Sequence, residues 1–197
     1  MIKKSIKKIV LGSLVLPLVM GTAFAAYPDK PIKMLVGYAP GSSTDIVGRM
    51  VANELSIALK QSVIVENRGG AGGNIGAEIV ANSPPNGYTL LLASGSMMTV
   101  NPYLYKKLPL NYATDLTYIT AVAGGPMLVS VNPNLPVNNL KELIALAKTK
   151  ELTFGSAGIG SQVHMAGENL TYAANIPATH VPYKGESAAI NDLVSGQ

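Results

Sequence analysis

The sequence predicts an α/β protein built on parallel sheet, and three observations carry that prediction. Short apolar runs without polar alternation recur along the chain, as suits strands buried on both faces. Between them lie stretches with apolar residues every three or four positions, the period of a helix with one buried face. Glycine, proline and asparagine stand at the junctions, where a chain must turn. Regular alternation of the two patterns is what an α/β architecture requires.

The first strand is expected over Ile32 to Tyr38. A helix follows over Asp45 to Lys60, with Val47, Met50, Val51, Leu55 and Leu59 at helical spacing. Ser62 to Glu66 is the second strand. A glycine cluster, Gly69 to Gly76, turns into a helix that Pro84-Pro85 closes. Asn86-Gly87 then turns into a third strand, Tyr88 to Ala93. Met97 to Leu116, rich in Tyr, Pro and Asn, reads as irregular.

Gly124-Gly125-Pro126 is the sharpest break and a candidate domain boundary. Beyond it, strands are expected at Met127 to Val131, Leu152 to Phe154 and Ala178 to Val181. Helices are expected over Asn138 to Lys150 (Leu140, Leu143, Ile144, Ala147), Ser161 to Ala174 (Val163, Ala166, Gly167, Leu170) and around Ile190, Leu193 and Val194. The expected organisation is therefore a unit over residues 26–124 and a second over 125–197, preceded by a leader. The second unit is small for a self-sufficient domain, because burial falls with size, so the chain reads as C-terminally truncated.

The leader is residues 1–25. Lys3, Lys4, Lys7 and Lys8 precede an apolar stretch, Ile9 to Met20, and Ala23-Phe24-Ala25 is a signal-peptidase pattern. The apolar core is shorter than the ~20 residues of a spanning helix. Cleavage after Ala25 and a periplasmic location follow as expectations. The net charge of +4 belongs to this leader, since the other 11 basic residues balance the 11 acidic ones. That argues against a nucleic-acid partner, which needs basic residues concentrated on a folded face. With no cysteine, thiol catalysis, disulfides and thiolate metal sites are excluded. Two histidines, His164 and His180, are few for a multi-histidine metal site.

Two strand-to-helix loops share one pattern of glycines and hydroxyls: Pro40-Gly41-Ser42-Ser43-Thr44-Asp45 and Gly155-Ser156-Ala157-Gly158-Ile159-Gly160-Ser161. Each ends where a helix presents unpaired N–H groups, which with the helix dipole favour a bound anion. In an open parallel sheet such loops sit at the carboxyl ends of strands, where ligands bind. The same residue types also serve simply as caps and turns. Asp45 is expected to cap the helix or hold the loop; the other role open to it is pairing with a ligand amino group. Gly70 and Gly72 begin like a dinucleotide fingerprint, but the third glycine is misplaced and the run follows the second strand, so no cofactor is expected. Ser161 and His164, three apart on a helix, could meet on one face, yet a catalytic pair needs a third orienting group. His180 reads as sheet packing.

Several motifs come in order: Tyr38-Ala39-Pro40-Gly41-Ser42-Ser43-Thr44-Asp45, Val65-Glu66-Asn67-Arg68-Gly69-Gly70-Ala71-Gly72-Gly73, Asn86-Gly87-Tyr88-Thr89-Leu90-Leu91, Phe154-Gly155-Ser156-Ala157-Gly158 through Ser161 to His164, and Val181-Pro182-Tyr183-Lys184-Gly185. Together they resemble the Bug family, the extracytoplasmic solute receptors of tripartite tricarboxylate transporters. The resemblance covers essentially the whole mature chain. It implies a type II periplasmic-binding-protein fold, two lobes with a cleft, a small carboxylate ligand and membrane transporter subunits as partners. It implies no enzyme activity and no cofactor, and a monomer at full length. It also implies that the ligand carboxylate is held by backbone amides and hydroxyls of two strand–helix loops, which singles out Gly41, Ser42, Ser43, Thr44 and Asp45 in the first and Ser156, Ala157, Gly158 and Ser161 in the other. Ser94, Ser96, Tyr183 and Lys184 are further candidates, and Tyr38 and His164 fall within the matching motifs. Ser42, Gly69 and Asn86 depart from the family's usual Gly, Pro and Asp. Members run to ~300 residues, room for two domains of ~100–150 each. A hydrolase or transferase using the same loops, or a periplasmic sensor domain, are the alternative readings.

Overall fold

The structure, a computed structural model, describes residues 26–197. The expected leader and its cleavage site after Ala25 lie outside the described residues. Three parallel strands form the first sheet in the order β2 (Val63–Asn67), β1 (Ile32–Val36), β3 (Thr89–Leu92). Ile32 pairs with Val63 on one side of β1 and Lys33 with Thr89 on the other. Parallel neighbours require crossovers. Helix α1 (Ser43–Leu59) makes the first, and a 3₁₀ turn (Ala71–Gly73) with α2 (Asn74–Ala81) makes the second. Central β1 has both neighbours and both faces covered, so Ile32, Met34, Leu35 and Val36 are buried. Gly76 lets α2 close on the sheet: a Cβ there would stand 3.2 Å from the Cα of Gly37.

The second sheet pairs β4 (Leu152–Ser156) with β5 (Ala178–Pro182), again parallel, with α6 (Gln162–Ala174) as crossover. Two short helices, α3 (Gly95–Thr99) and α4 (Asn101–Leu104), follow the first sheet; α5 (Leu140–Ala147) precedes the second and α7 (Glu186–Ser195) follows it. The buried core runs from β1 through Ala52 and Ala77 to Met97, Leu110 and Tyr112, and reaches Ala157 beyond β4.

Three expectations need correction. Met127 to Val131 forms no strand: it has no regular structure and no strand partner among the described residues, with Leu128 83% exposed. Apolar composition does not make a strand without a neighbour to take its N–H and C=O groups. The irregular stretch after Met97 holds the end of α3 and all of α4. Each is about one turn long, and Pro102 sits at the start of α4, where its missing N–H costs nothing. The strands of the second sheet are not buried on both faces: apart from buried Ser156 at the end of β4, positions along β4 and β5 are part-buried or exposed.

Candidate functional site

The loop after β1 is organised around Asp45, which is buried. One carboxylate oxygen accepts the Gly41 N–H at 2.8 Å and Arg49 Nε at 3.0 Å. The other accepts Asn67 Nδ2 at 2.8 Å, and that amide nitrogen also reaches the Tyr38 carbonyl at 3.0 Å. Burial alone would raise the Asp45 pKa. The bonds from Arg49, Gly41 and Asn67 outweigh it and hold the carboxyl below its ordinary value. Ser42 is buried and caps α1, its Oγ accepting the Asp45 N–H at 3.3 Å. Asp45 thus holds the loop from within.

The first free donors of α1 belong to Ser43, and a carboxylate takes them. Ser43 N–H donates to Glu186 at 3.3 Å and Ser43 Oγ to the other Glu186 oxygen at 3.2 Å. A helix N-terminus favours negative charge, and here the charge comes from the start of α7, beyond the second sheet. Thr44 is half-buried beside this contact.

Behind the loop, Tyr38, Ser94 and Ser96 form a hydroxyl cluster. Tyr38 Oη lies 2.7 Å from Ser94 Oγ, which lies 3.0 Å from Ser96 Oγ, and Tyr38 also donates to the Gly72 carbonyl at 3.4 Å. Burial is the main cause that raises the Tyr38 pKa, so its hydroxyl stays protonated and able to donate.

The loop after β4 has a neutral frame. Ser156 Oγ is buried, accepts the Gly158 N–H at 3.1 Å and lies 2.6 Å from His180 Nε2. His180 stacks between Phe154 (5.0 Å) and His164 (3.9 Å). Burial, then the neighbouring His164, lower the His180 pKa against the opposing pull of Glu168. Ser161 caps α6 by accepting the His164 N–H at 3.2 Å. Gly158 has φ 123°, and a Cβ there would meet the Tyr183 carbonyl at 2.9 Å, so only glycine fits the turn.

A Ser–His contact therefore exists, but between Ser156 and His180 and not between the side chains of Ser161 and His164. With its oxygen buried under Gly158, Ser156 is placed to hold the loop. His164, Glu168 and His180 each offer a ligand atom within 4.8 Å of one another. Two features oppose metal coordination. His164 Nδ1 accepts the Gly160 N–H at 3.1 Å, so a neutral ring carries its proton on Nε2, where a metal would bind. The two imidazoles lie face to face, 23° apart, so their in-plane lone pairs run side by side and do not converge.

Direct bonds tie each loop to a different segment, the first to the stretch from Lys184 into α7 and the second to Tyr105 after α4. Ala39 N–H donates to the Lys184 carbonyl at 3.0 Å, Ser187 Oγ to the Pro40 carbonyl at 3.2 Å, and Tyr105 Oη to the Ile159 carbonyl at 3.0 Å. Lys184 takes part through its backbone while its side chain is exposed. Tyr183 Oη is bonded to Asp192 at 2.6 Å, within the second unit. Glu186, Arg49, Asn67 and Asn101 are functional candidates that sequence reasoning missed. Their only advance signal is position near the motifs, because each acts across a fold-dependent distance.

The chain matches the family model described as tripartite tricarboxylate transporter family receptor over residues 47–197. It is 38% identical over 173 residues to protein BugT of Bordetella pertussis, covering 86% of this chain and 53% of that protein. Among solved structures it resembles Rpa4515 of R. palustris with adipate, with a TM-score of 0.84, 32% identity and coverage of 86% of this chain and 57% of that one. It also resembles MatC of Rhodopseudomonas palustris with bound malate, with a TM-score of 0.76, 28% identity and coverage of 87% and 59%. The chain spans about half the length of the curated relatives it matches.

Proposed function

The chain belongs to the tripartite tricarboxylate transporter receptor family, and from that premise we propose that it is an extracytoplasmic solute receptor that binds a small carboxylate and passes it to a membrane transporter. In this reading residues 1–25 are a signal peptide removed after Ala25, and the protein works in the periplasm. Residues 26–124 and 125–197 contribute to two lobes of a type II periplasmic-binding-protein fold. The carboxylate binds between the Gly41–Asp45 and Ser156–Ser161 loops, and no covalent chemistry is performed on it.

The observation that carries this reading is Glu186 on Ser43. The α1 N-terminus already holds a carboxylate with one backbone and one hydroxyl donor. A ligand carboxylate can replace that side chain group for group. Asp45 and Ser156 support the reading from behind, because each spends its polar atoms keeping a loop in shape. The adipate and malate bound to related proteins belong to the proposed ligand class.

A thermal-shift panel of mono-, di- and tricarboxylates tests the proposal, since a ligand that binds only the native state raises its melting temperature. At least one acid should give a saturable rise. Glu186→Gln should tighten its binding about two- to fivefold by removing the competing charge, on the order of 0.3–1 kcal/mol. A flat response across the whole panel would refute the receptor reading.

A further inference from the structure

Among the described residues one buried side-chain polar atom lacks a hydrogen-bond partner, Asn101 Oδ1. Asn101 is fully buried at the start of α4. The orientation of its amide is set by its surroundings. Nδ2 donates to the Gly72 carbonyl at 3.0 Å and to Asn74 Oδ1 at 2.7 Å, and Asn74 Oδ1 also accepts Tyr112 Oη at 2.6 Å. Flipping the amide would set its oxygen against two acceptors, so Oδ1 is the atom left without a partner in this network.

It faces two glycines. A Cβ on Gly160 would stand 2.7 Å from Asn101 Oδ1 and one on Gly72 would stand 3.1 Å away. Both have left-handed backbones, with φ 84° and 62°. The oxygen is buried, with glycine backbone alone on this side of it, and a side chain at either position would press against it. Gly160 directly precedes Ser161, the cap of α6, so the buried, unpartnered acceptor lies beside the segment that starts that helix. An unmatched buried acceptor is costly, and a site built around one discriminates strongly for a partner that supplies the missing hydrogen.

We propose that Asn101 Oδ1 is a specificity subsite that accepts a hydrogen bond from the ligand, and that the preferred ligands are carboxylates bearing a hydroxyl or amino group on the carbon beside the carboxylate. The inference rests on the receptor reading above and narrows its ligand class. The carboxylate sits on helix N-terminal donors, and the neighbouring O–H or N–H turns toward Asn101. Plain dicarboxylates leave the oxygen unmatched.

Matched pairs measured by isothermal titration on the purified full chain test it: succinate against malate, glutarate against 2-hydroxyglutarate, and succinate against aspartate for the amino group. In the unmodified protein the donor-bearing member of the pair that binds should be tighter by about tenfold. In Asn101→Leu, and in the smaller change Asn101→Ser, the ratio within that pair should fall toward one. A ratio is unaffected by the fraction of protein that folds, so partial misfolding does not imitate the result. Equal affinities within every pair in the unmodified protein overturn this inference alone. So does a preference that survives both substitutions, which would place the donor's partner elsewhere. If no member of any pair binds while another acid of the thermal-shift panel does, this inference falls and the receptor reading stands; if no acid of that panel binds either, both fall.

Discussion

The two glycine loops both end in a serine-capped helix but are held by opposite electrostatic means. After β1 the frame is an ionised carboxylate, with Asp45 drawing in Gly41, Arg49 and Asn67. After β4 it is a neutral hydroxyl and a stacked imidazole pair, with Ser156 held between Gly158 and His180. The sheets beneath them differ too: β1 is covered on both sides, whereas β4 and β5 are partly open to solvent. A buried carboxylate needs several donors around it to be tolerated, and the better-covered sheet carries that arrangement. A more exposed sheet can hold its loop with neutral groups that lose less on burial. The difference teaches that loops with one sequence pattern need not share one stabilising chemistry, and should not respond alike to mutation or pH.

The largest contrast is expected at glycine. Gly158→Ala forces a Cβ against the Tyr183 carbonyl at 2.9 Å in a left-handed backbone. It should cost ~3 kcal/mol or more in urea unfolding, combining backbone strain with overpacking. Gly41→Ala meets its nearest atom, Ser187 Cβ, at 3.6 Å, so only the strain of its φ of 79° remains, about 1–2 kcal/mol. Equal losses would mean the second loop yields to make room.

Removing each frame's central group comes next. Asp45→Ala strands the Gly41 N–H and the Asn67 amide and should cost roughly 2–3 kcal/mol, the exposed Arg49 adding little. Ser156→Ala strands the Gly158 N–H and should cost about 1–2 kcal/mol. Denaturation midpoints of the two variants rank them. A larger loss at Ser156 would reverse the assignment of the stronger frame.

The smallest effect is the separation in pH. The His180 pKa is lowered in the native state, so the unfolded chain takes up this proton first. Its contribution is complete above the ordinary histidine value of ~6.5 and is lost as pH falls from there through its native value. The Asp45 pKa is lowered as well, so its contribution is complete above ~3.9 and is lost only in stronger acid. Stability measured against pH should show two falling limbs. His180→Gln should remove the one nearer neutrality, and Asp45→Asn should shrink the more acidic one, to which Glu66, Asp115 and Glu142 also contribute. A single limb insensitive to His180→Gln would break the distinction.

Much of the architecture was legible beforehand. Apolar runs marked all five strands and helical spacing marked α1, α5, α6 and α7, because both patterns record local exposure directly. Met127 to Val131 misled for the same reason, since apolarity reports burial tendency and says nothing about a pairing neighbour. One-turn helices such as α4 contain too few residues for any period to show. Gly41, Asp45, Gly158 and Ser161 were singled out from local turn and capping chemistry, and that chemistry is where the structure uses them. Glu186 and Asn101 gave no local signal, because a carboxylate on a helix start 143 residues away, or an amide oxygen aimed at a glycine, leaves no periodic trace.

The sequence by itself determined the alternation of strands and helices, the positions of the two glycine loops, and a lysine-rich start distinct in charge from the rest. These follow from properties of adjacent residues: hydropathy period, backbone freedom and capping. Only the tertiary structure decided that Asp45 and Ser156 hold loops from behind, that Glu186 occupies the start of α1, and that Asn101 Oδ1 faces two glycines. Hydrogen-bond partners are fixed by distances of about 3 Å between groups far apart in the chain, and those distances exist only once the sheets have brought their loops together.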